Sequence, residues 1–365
     1  MMKSMNQAAR TVVAPPVFAT RRWLLPLALL VGQTVQATPS QAVSDVMALF
    51  RQTPLVAIGE THGLNELHAF LRTLIADPAF GRTVQDIVVE FGNAKYQAVA
   101  DAFVLDQRVV TLAELRQVWR NTTQSAYNTW DAPIYEQFFR AVRTANQRRP
   151  AHQAPLRVLL GDPPIDWNVV RSMQDYAAFT DRDGFYAETV LKGVLAHRHR
   201  ALLLTGISHV LRSGPVTLRR SGTAAERIEA GHPGSLTVLM PYLGFPHALD
   251  QTSARLLALG SPRLLPTKTS RLGQLRAAEV FAGPPEAPLG MEDQFSEQSL
   301  AQVIDGLLLL GDPATFTRSQ TDPALYKDPL YAAELRRRKR IFGIENDPRF
   351  GMAALLKPEP LRWYR

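Results

Sequence analysis

The stretch Leu55-Val-Ala-Ile-Gly-Glu60-Thr-His62-Gly63 sets an unbroken apolar run directly against a carboxylate and an imidazole. A short run of aliphatic residues without polar alternation reads as a strand buried on both faces, the pattern of a parallel sheet covered by helices. The polar residues of such a strand belong where it leaves the sheet, and in open α/β sheets ligands bind outside the carboxyl ends of the strands. Glu60 and His62 stand at that exit, with Gly59 and Gly63 allowing the chain to turn there.

Three further runs end in the same way. Asp86-Ile-Val-Val-Glu90-Phe-Gly92 closes on a carboxylate, Arg157-Val-Leu-Leu-Gly-Asp162-Pro-Pro164 on a second, and Ala201-Leu-Leu-Leu-Thr-Gly206-Ile-Ser-His209 on an imidazole. The segments between them are long enough for right-handed crossovers between parallel strands. The expectation is an α/β fold with a largely parallel central sheet and flanking helices. Glu60, His62, Glu90, Asp162 and His209 would then converge at the carboxyl edge of the strands. Ser235–Pro241 and Val303–Gly311 read as two more strands.

Between the strands, 40–52 and 93–105 read as helices, and Leu64 to Ile75 has the apolar spacing of an amphipathic helix that carries His68. Residues 106–150 read as a helical insertion with Trp119, Tyr127, Trp130, Tyr135, Phe138 and Phe139. These aromatics either pack the insertion onto the sheet or wall an apolar ligand. The glycine-containing stretch 213–234 reads as an exposed loop or hairpin, and the proline-rich stretch 260–290 as similarly irregular.

With 365 residues, 46% of them hydrophobic, the chain can bury a large core. Its formal net charge of +8 is unevenly placed: residues 1–37 hold Lys3, Arg10, Arg21 and Arg22 and no acid. That segment reads as a signal peptide, with the apolar core Leu24–Val31 and small residues at Val35-Gln-Ala37; the paired arginines also fit a twin-arginine signal. The apolar core is shorter than the roughly 20 residues a membrane span needs, so no integral segment is expected once the signal is removed. The mature protein is expected in the periplasm or secreted, as an α/β domain over 38–312 and a basic, helical extension over 313–365. Arg336-Arg-Arg-Lys-Arg340 reads as a solvated helix face, and without interleaved aromatics it gives no reason to expect nucleic acid. No cysteine occurs, which excludes disulfides, thiolate metal sites, a cysteine nucleophile and a lipidated cysteine.

Carboxylates beside imidazoles serve two chemistries. The carboxylate fixes the imidazole tautomer and raises its basicity for general acid/base work. Alternatively Glu60, His62 and His209 would ligate a divalent cation such as manganese, zinc or cobalt. Spacing leaves both open. Gly206-Ile-Ser208-His209 does not make a nucleophile elbow, because Val210 occupies the place of the second glycine.

This layout resembles the superfamily that joins erythromycin esterases, ChaN-like haem-binding proteins and Tiki/TraB proteins. Gly59-Glu60-Thr-His62 followed by His68 is similar to its opening motif, Glu90 to its second-strand glutamate, and Gly206-Ile-Ser-His209 to its late Gly-x-x-His element. Trp130 through Tyr135 to Arg143, then Gly161-Asp162-Pro-Pro, is similar to the middle region of the ChaN-like branch. The Glu60–His62 spacing is one residue shorter than in erythromycin esterases, so macrolide ring opening does not carry over. The resemblance implies a site of Glu60, His62, Glu90 and His209, supported by His68, Asp162, Trp130 and Tyr135. The function expected is an exported Glu/His-dependent hydrolase of ester, lactone or peptide bonds, with a small-molecule or peptide substrate and a metal as an optional aid. The alternatives are a haem or small-ligand binding protein and a non-catalytic envelope protein.

Overall fold

Seven strands lie in one sheet: β1 Leu55–Glu60, β2 Asp86–Asn93, β3 Arg157–Asp162, β4 Ala201–Gly206, β5 Leu236–Pro241, β6 Arg263–Pro266 and β7 Gly306–Leu309. Their order is β3-β2-β4-β1-β5-β7-β6, and every neighbouring pair is parallel except β6 with β7 at one edge. The computed structural model describes residues 41–212, 222–244, 250–281 and 298–357, which belong to one compact unit. The expected signal segment lies outside the described residues.

Alternation along the strands explains why their sequences are apolar throughout. Val56, Ile58, Ile87, Val89, Leu202 and Leu204 share one core with the helices Asn65–Ala76 and Pro133–Arg148. Leu55, Ala57, Val88, Leu203 and Val238 face the opposite core, which takes in the helices Arg182–Gly193 and Ala224–Gly231. Each strand is therefore covered on both faces, as parallel sheets are. Register then lines up the strand ends: Glu60 pairs with Gly206, and a shift between Val89 and Asn93 brings Asn93 opposite Asp162.

The insertion contains the helices Leu112–Arg120 and Pro133–Arg148, the first held by a reciprocal cap between Thr111 and Glu114. Trp119, Trp130, Tyr135, Phe138 and Phe139 are buried within the first core, with Phe91 at their centre. Their large surfaces thus fasten the insertion to the sheet.

Three expectations are corrected. The stretch 260–290 contains β6, a four-residue antiparallel edge strand too short to show a period. The stretch 213–234 contains the helix Ala224–Gly231, announced by a Thr223/Glu226 capping box at its start; residues 213–221 and 282–297 lie outside the described residues. The basic run is a solvated face only in part: Arg336 and Arg340 are exposed, but Arg338 and Lys339 are buried. On the helix Pro329–Ile341, Arg338 donates to the Arg120 carbonyl and Asn121 Oδ1, while Lys339 is wholly buried with its Nζ donating to the carbonyls of Ala126 and Phe350. These cations close carbonyl groups of the insertion that water does not reach. Among the described residues no helix is long and apolar enough to cross a membrane.

Candidate active site

β1 delivers Glu60 to the carboxyl edge, where its side chain is all but inaccessible. His68, from the first turns of the helix Asn65–Ala76, bonds Glu60 Oε1 through Nε2 at 2.7 Å, and the Tyr135 hydroxyl donates to the same oxygen at 3.1 Å. His62 Nδ1 lies 3.4 Å from the other oxygen. Burial works to raise the Glu60 carboxyl, but the hydrogen bonds and charges of His62 and His68 outweigh it and hold it at about 2. Burial likewise works to lower His62, and the Glu60 hydrogen bond, with the charges of Glu60 and Glu90, overcomes this and raises it. His62 alone of this group is open to solvent, its side chain 30% exposed, with its ring edge-on to Trp130 at 4.4 Å.

A second cluster adjoins the first. Glu90, buried at the end of β2, accepts from the backbone N–H of Gly206 and from Arg182 Nη2 at 3.2 Å. Arg182 also donates to His209 Nε2, while His209 Nδ1 is 2.9 Å from Asp183 Oδ1. Since a carboxylate can only accept, Asp183 takes the Nδ1–H of His209, while Nε2 lies between the Arg182 guanidinium and Glu90 Oε1, 3.4 Å away. Asp183 is itself anchored by the Ala224 backbone N–H. Burial opposes ionisation of Glu90, yet His209, Arg182 and His62 around it keep its carboxyl well below the usual range.

Gly206 explains why the two clusters can meet. Its φ of −51° is open to any residue, but a Cβ there would sit 3.0 Å from His62 Cε1 and 3.2 Å from Glu90 Oε2. The glycine is demanded by space: it lets His62 and Glu90 close over the strand end.

Asp162, at the end of β3, is bound by Thr123 through both its backbone N–H, at 2.7 Å, and its hydroxyl. Burial raises it to about 7 against those bonds, with Arg182 and Glu90 close enough to act on it electrostatically. Two rings that pack on the site, Trp130 against His62 and Tyr186 against His209, carry a buried Nε1 and hydroxyl with no hydrogen-bond partner among the described residues. Unanswered donors of this kind are uncommon in folded proteins and suit a site that receives a polar ligand.

The structure thus gathers Glu60, His62, His68, Trp130 and Tyr135 into one group and Glu90 and His209 into the adjoining one, with Asp162 at its border. Sequence reasoning missed Arg182, Asp183 and Tyr186. Their only signal was Asp181-Arg-Asp183 opening a helix, a common pattern of charge at a helix start.

The three residues expected to ligate a metal, Glu60, His62 and His209, are not brought together. Glu60 faces His62, His68 and Tyr135, and His209 faces a guanidinium, which a cation would have to displace. Among the described residues no three histidine or carboxylate side chains form a group that could hold a metal ion. The donor set therefore does not fit a metal.

Fold and site define an α/β protein with paired carboxylate–imidazole groups at the carboxyl edge of its sheet. A protein of Bacillus cereus has the same fold: at 12% identity it matches 78% of this chain and 95% of its own with a TM-score of 0.51. ChaN of Campylobacter jejuni, described for cofacial haem binding, matches 55% of this chain and 86% of its own at 13% identity and a TM-score of 0.35. The type III effector HopBA1 matches 56% and 85% at 16% identity and a TM-score of 0.34. No protein-family model and no curated protein matches the sequence.

Proposed function

We propose that the protein is an exported, metal-independent hydrolase of carboxylic esters, lactones or peptides. One observation carries the reading: the partly open His62, backed by Glu60, meets Glu90 over Gly206, and Glu90 in turn holds the Arg182 guanidinium. In this mechanism neutral His62 takes a proton from water as the hydroxyl oxygen bonds to the substrate carbonyl carbon. Negative charge moves to the carbonyl oxygen, where Arg182 stabilises it. Collapse breaks the bond to the leaving oxygen or nitrogen, which takes the proton back from His62. Glu60 orients the imidazole and supports its charged form, and His209, fixed by Asp183, positions Arg182. Hydrolysis of a panel of p-nitrophenyl and lactone substrates tests the reading. Turnover lost in His62→Ala and in Arg182→Met, with the fold retained, supports it; turnover unchanged in either sinks the corresponding role.

A second reading is a haem-binding protein, supported by the motif resemblance to the ChaN-like branch and by the exposure of one imidazole. His62 is the residue that would meet the iron, since Tyr135 and His68 are both turned onto Glu60. A Soret band on titration with haemin that disappears in His62→Ala supports this reading, and the lack of any band at micromolar protein retires it.

A further inference from the structure

A cleft of about 750 Å³ opens well away from the strand ends that form the active site, between the helices Asn65–Ala76 and Pro133–Arg148. Its floor includes the segments that lead into β2 and β3, so it lies at the amino edge of the sheet. Arginines dominate its charge: Arg72, Arg82, Arg140, Arg148 and Arg149 line it against a single acid, Asp77. Asp77 accepts from the Ala79 backbone N–H, and Arg140 bonds Glu136. Among the described residues the buried Nη1 of Arg72 and the buried Nε of Arg149 have no hydrogen-bond partner, although Arg149 Nη1 donates to the carbonyls of Pro150 and Gln153. Between the arginines the lining mixes the accessible apolar residues Ala76, Ala141 and Ala145 with polar Gln137, Thr144 and Gln153, over the buried Ile75 and Leu156.

Helix ends offer only part of an explanation. Arginines near the carboxyl ends of two helices are favoured by the dipole, which contributes about half a negative charge at each end. That field is smaller than five guanidinium charges, and it gives no reason to bury a donor unanswered. Leaving a cationic donor desolvated and unpaired is costly, and an incoming oxyanion removes the cost. The planar fork of arginine matches phosphate oxygens two at a time, and an excess of arginine suits a doubly charged head.

We propose that this cleft binds a phosphate monoester with a small apolar body, the head held by Arg72 and its arginine neighbours and the body against Ala76, Ala141 and Ala145. The chemistry is shared by soluble alkyl or aryl phosphates and by a phosphate lipid headgroup. It is separate from the hydrolytic site.

Calorimetric titration of the full chain with hexyl phosphate, inorganic phosphate and hexanol tests the proposal. The expected result is that hexyl phosphate binds at least tenfold more tightly than inorganic phosphate, that hexanol gives no binding, and that affinity falls with added salt. Arg72→Met should weaken hexyl phosphate at least tenfold. Without ligand its melting temperature should equal or exceed that of the wild type, because the unpaired donor is gone. Sedimentation with phosphatidic acid vesicles separates the two sources: capture that Arg72→Met removes assigns a lipid headgroup, and soluble binding without capture assigns a free ester. No heat with hexyl phosphate at millimolar concentration, or binding that Arg72→Met leaves intact, overturns the proposal.

Discussion

Arg182 lies 3.2 Å from Glu90, a carboxylate with no exposed surface, and this pair joins a helix on one side of the sheet to the end of its second strand. Neither charge is well placed alone. Removing one partner of a buried pair leaves the other desolvated and uncompensated, which costs about 3–5 kcal/mol. Arg182→Met should therefore lower stability by several kcal/mol as well as reduce turnover about 10²–10³-fold. Glu90→Gln combined with Arg182→Met should restore much of the stability and none of the activity. Urea unfolding of the two single variants and the double variant checks this; additive losses in stability would show that the pair is not coupled.

His62 needs to be neutral to accept a proton, and its surroundings raise its pKa above the ordinary 6.5. The proposed hydrolytic activity should consequently rise with pH along a limb lying above 6.5. Glu60→Gln removes the charge that favours the imidazolium, so the limb should move to lower pH while maximal turnover falls. His62→Ala should abolish turnover and also cost some stability, because His68 and Tyr135 hold only Oε1 of Glu60 and His62 is the neighbour of its other oxygen. Rate profiles of kcat/KM between pH 5 and pH 9 decide the matter. A limb that Glu60→Gln leaves in place would assign the titration to another group.

What the sequence discloses about this site follows from where the residues sit in the chain. Glu60, Glu90, Asp162 and His209 each close an apolar run, so a strand assignment was enough to bring them to one edge. Arg182 and Asp183 come from a crossover helix, where a charge at the surface and a charge aimed under the sheet edge look the same in one dimension. Periodicity also misread part of Arg336 to Arg340: three-dimensional packing of the helix against the insertion buries Arg338 and Lys339, and the Arg120 and Ala126 carbonyls they meet are more than 200 residues away in sequence. Among the described residues Glu60, His62 and His209 do not form one ligand group, because of side-chain directions that spacing does not encode.

Asp162 supplies a stability signal separate from catalysis. Its folded-state value of about 7 lies above that of an ordinary aspartate, so between about pH 4 and 7 the folded chain keeps a proton that the unfolded chain releases. Stability should fall as pH rises through that window, by about 4 kcal/mol at most for a shift of this size. Asp162→Asn cannot titrate, and its stability relative to wild type should improve steadily from pH 4.5 to pH 7. Glu60 and Glu90, held low, are ionised throughout that range and do not disturb the comparison. Parallel stability profiles for the two proteins would place the Asp162 proton elsewhere.

Lys339 carries the opposite sign. Burial brings its ammonium down to about 8 although Asp131 works to raise it, while the unfolded side chain keeps its proton to about 10.4. Between those values the unfolded chain binds more protons, so this residue adds stability as pH rises. Lys339→Met removes that contribution and also leaves the carbonyls of Ala126 and Phe350 without their donor, a loss of about 1–3 kcal/mol at neutral pH. The deficit of Lys339→Met relative to wild type should therefore widen between pH 8 and pH 10. Comparing the two proteins at each pH cancels the tyrosines, which titrate in both. Chemical unfolding at three pH values in that interval measures it, and a deficit that stays constant or narrows would mean that Lys339 keeps its proton in the folded state to the same pH as in the unfolded one.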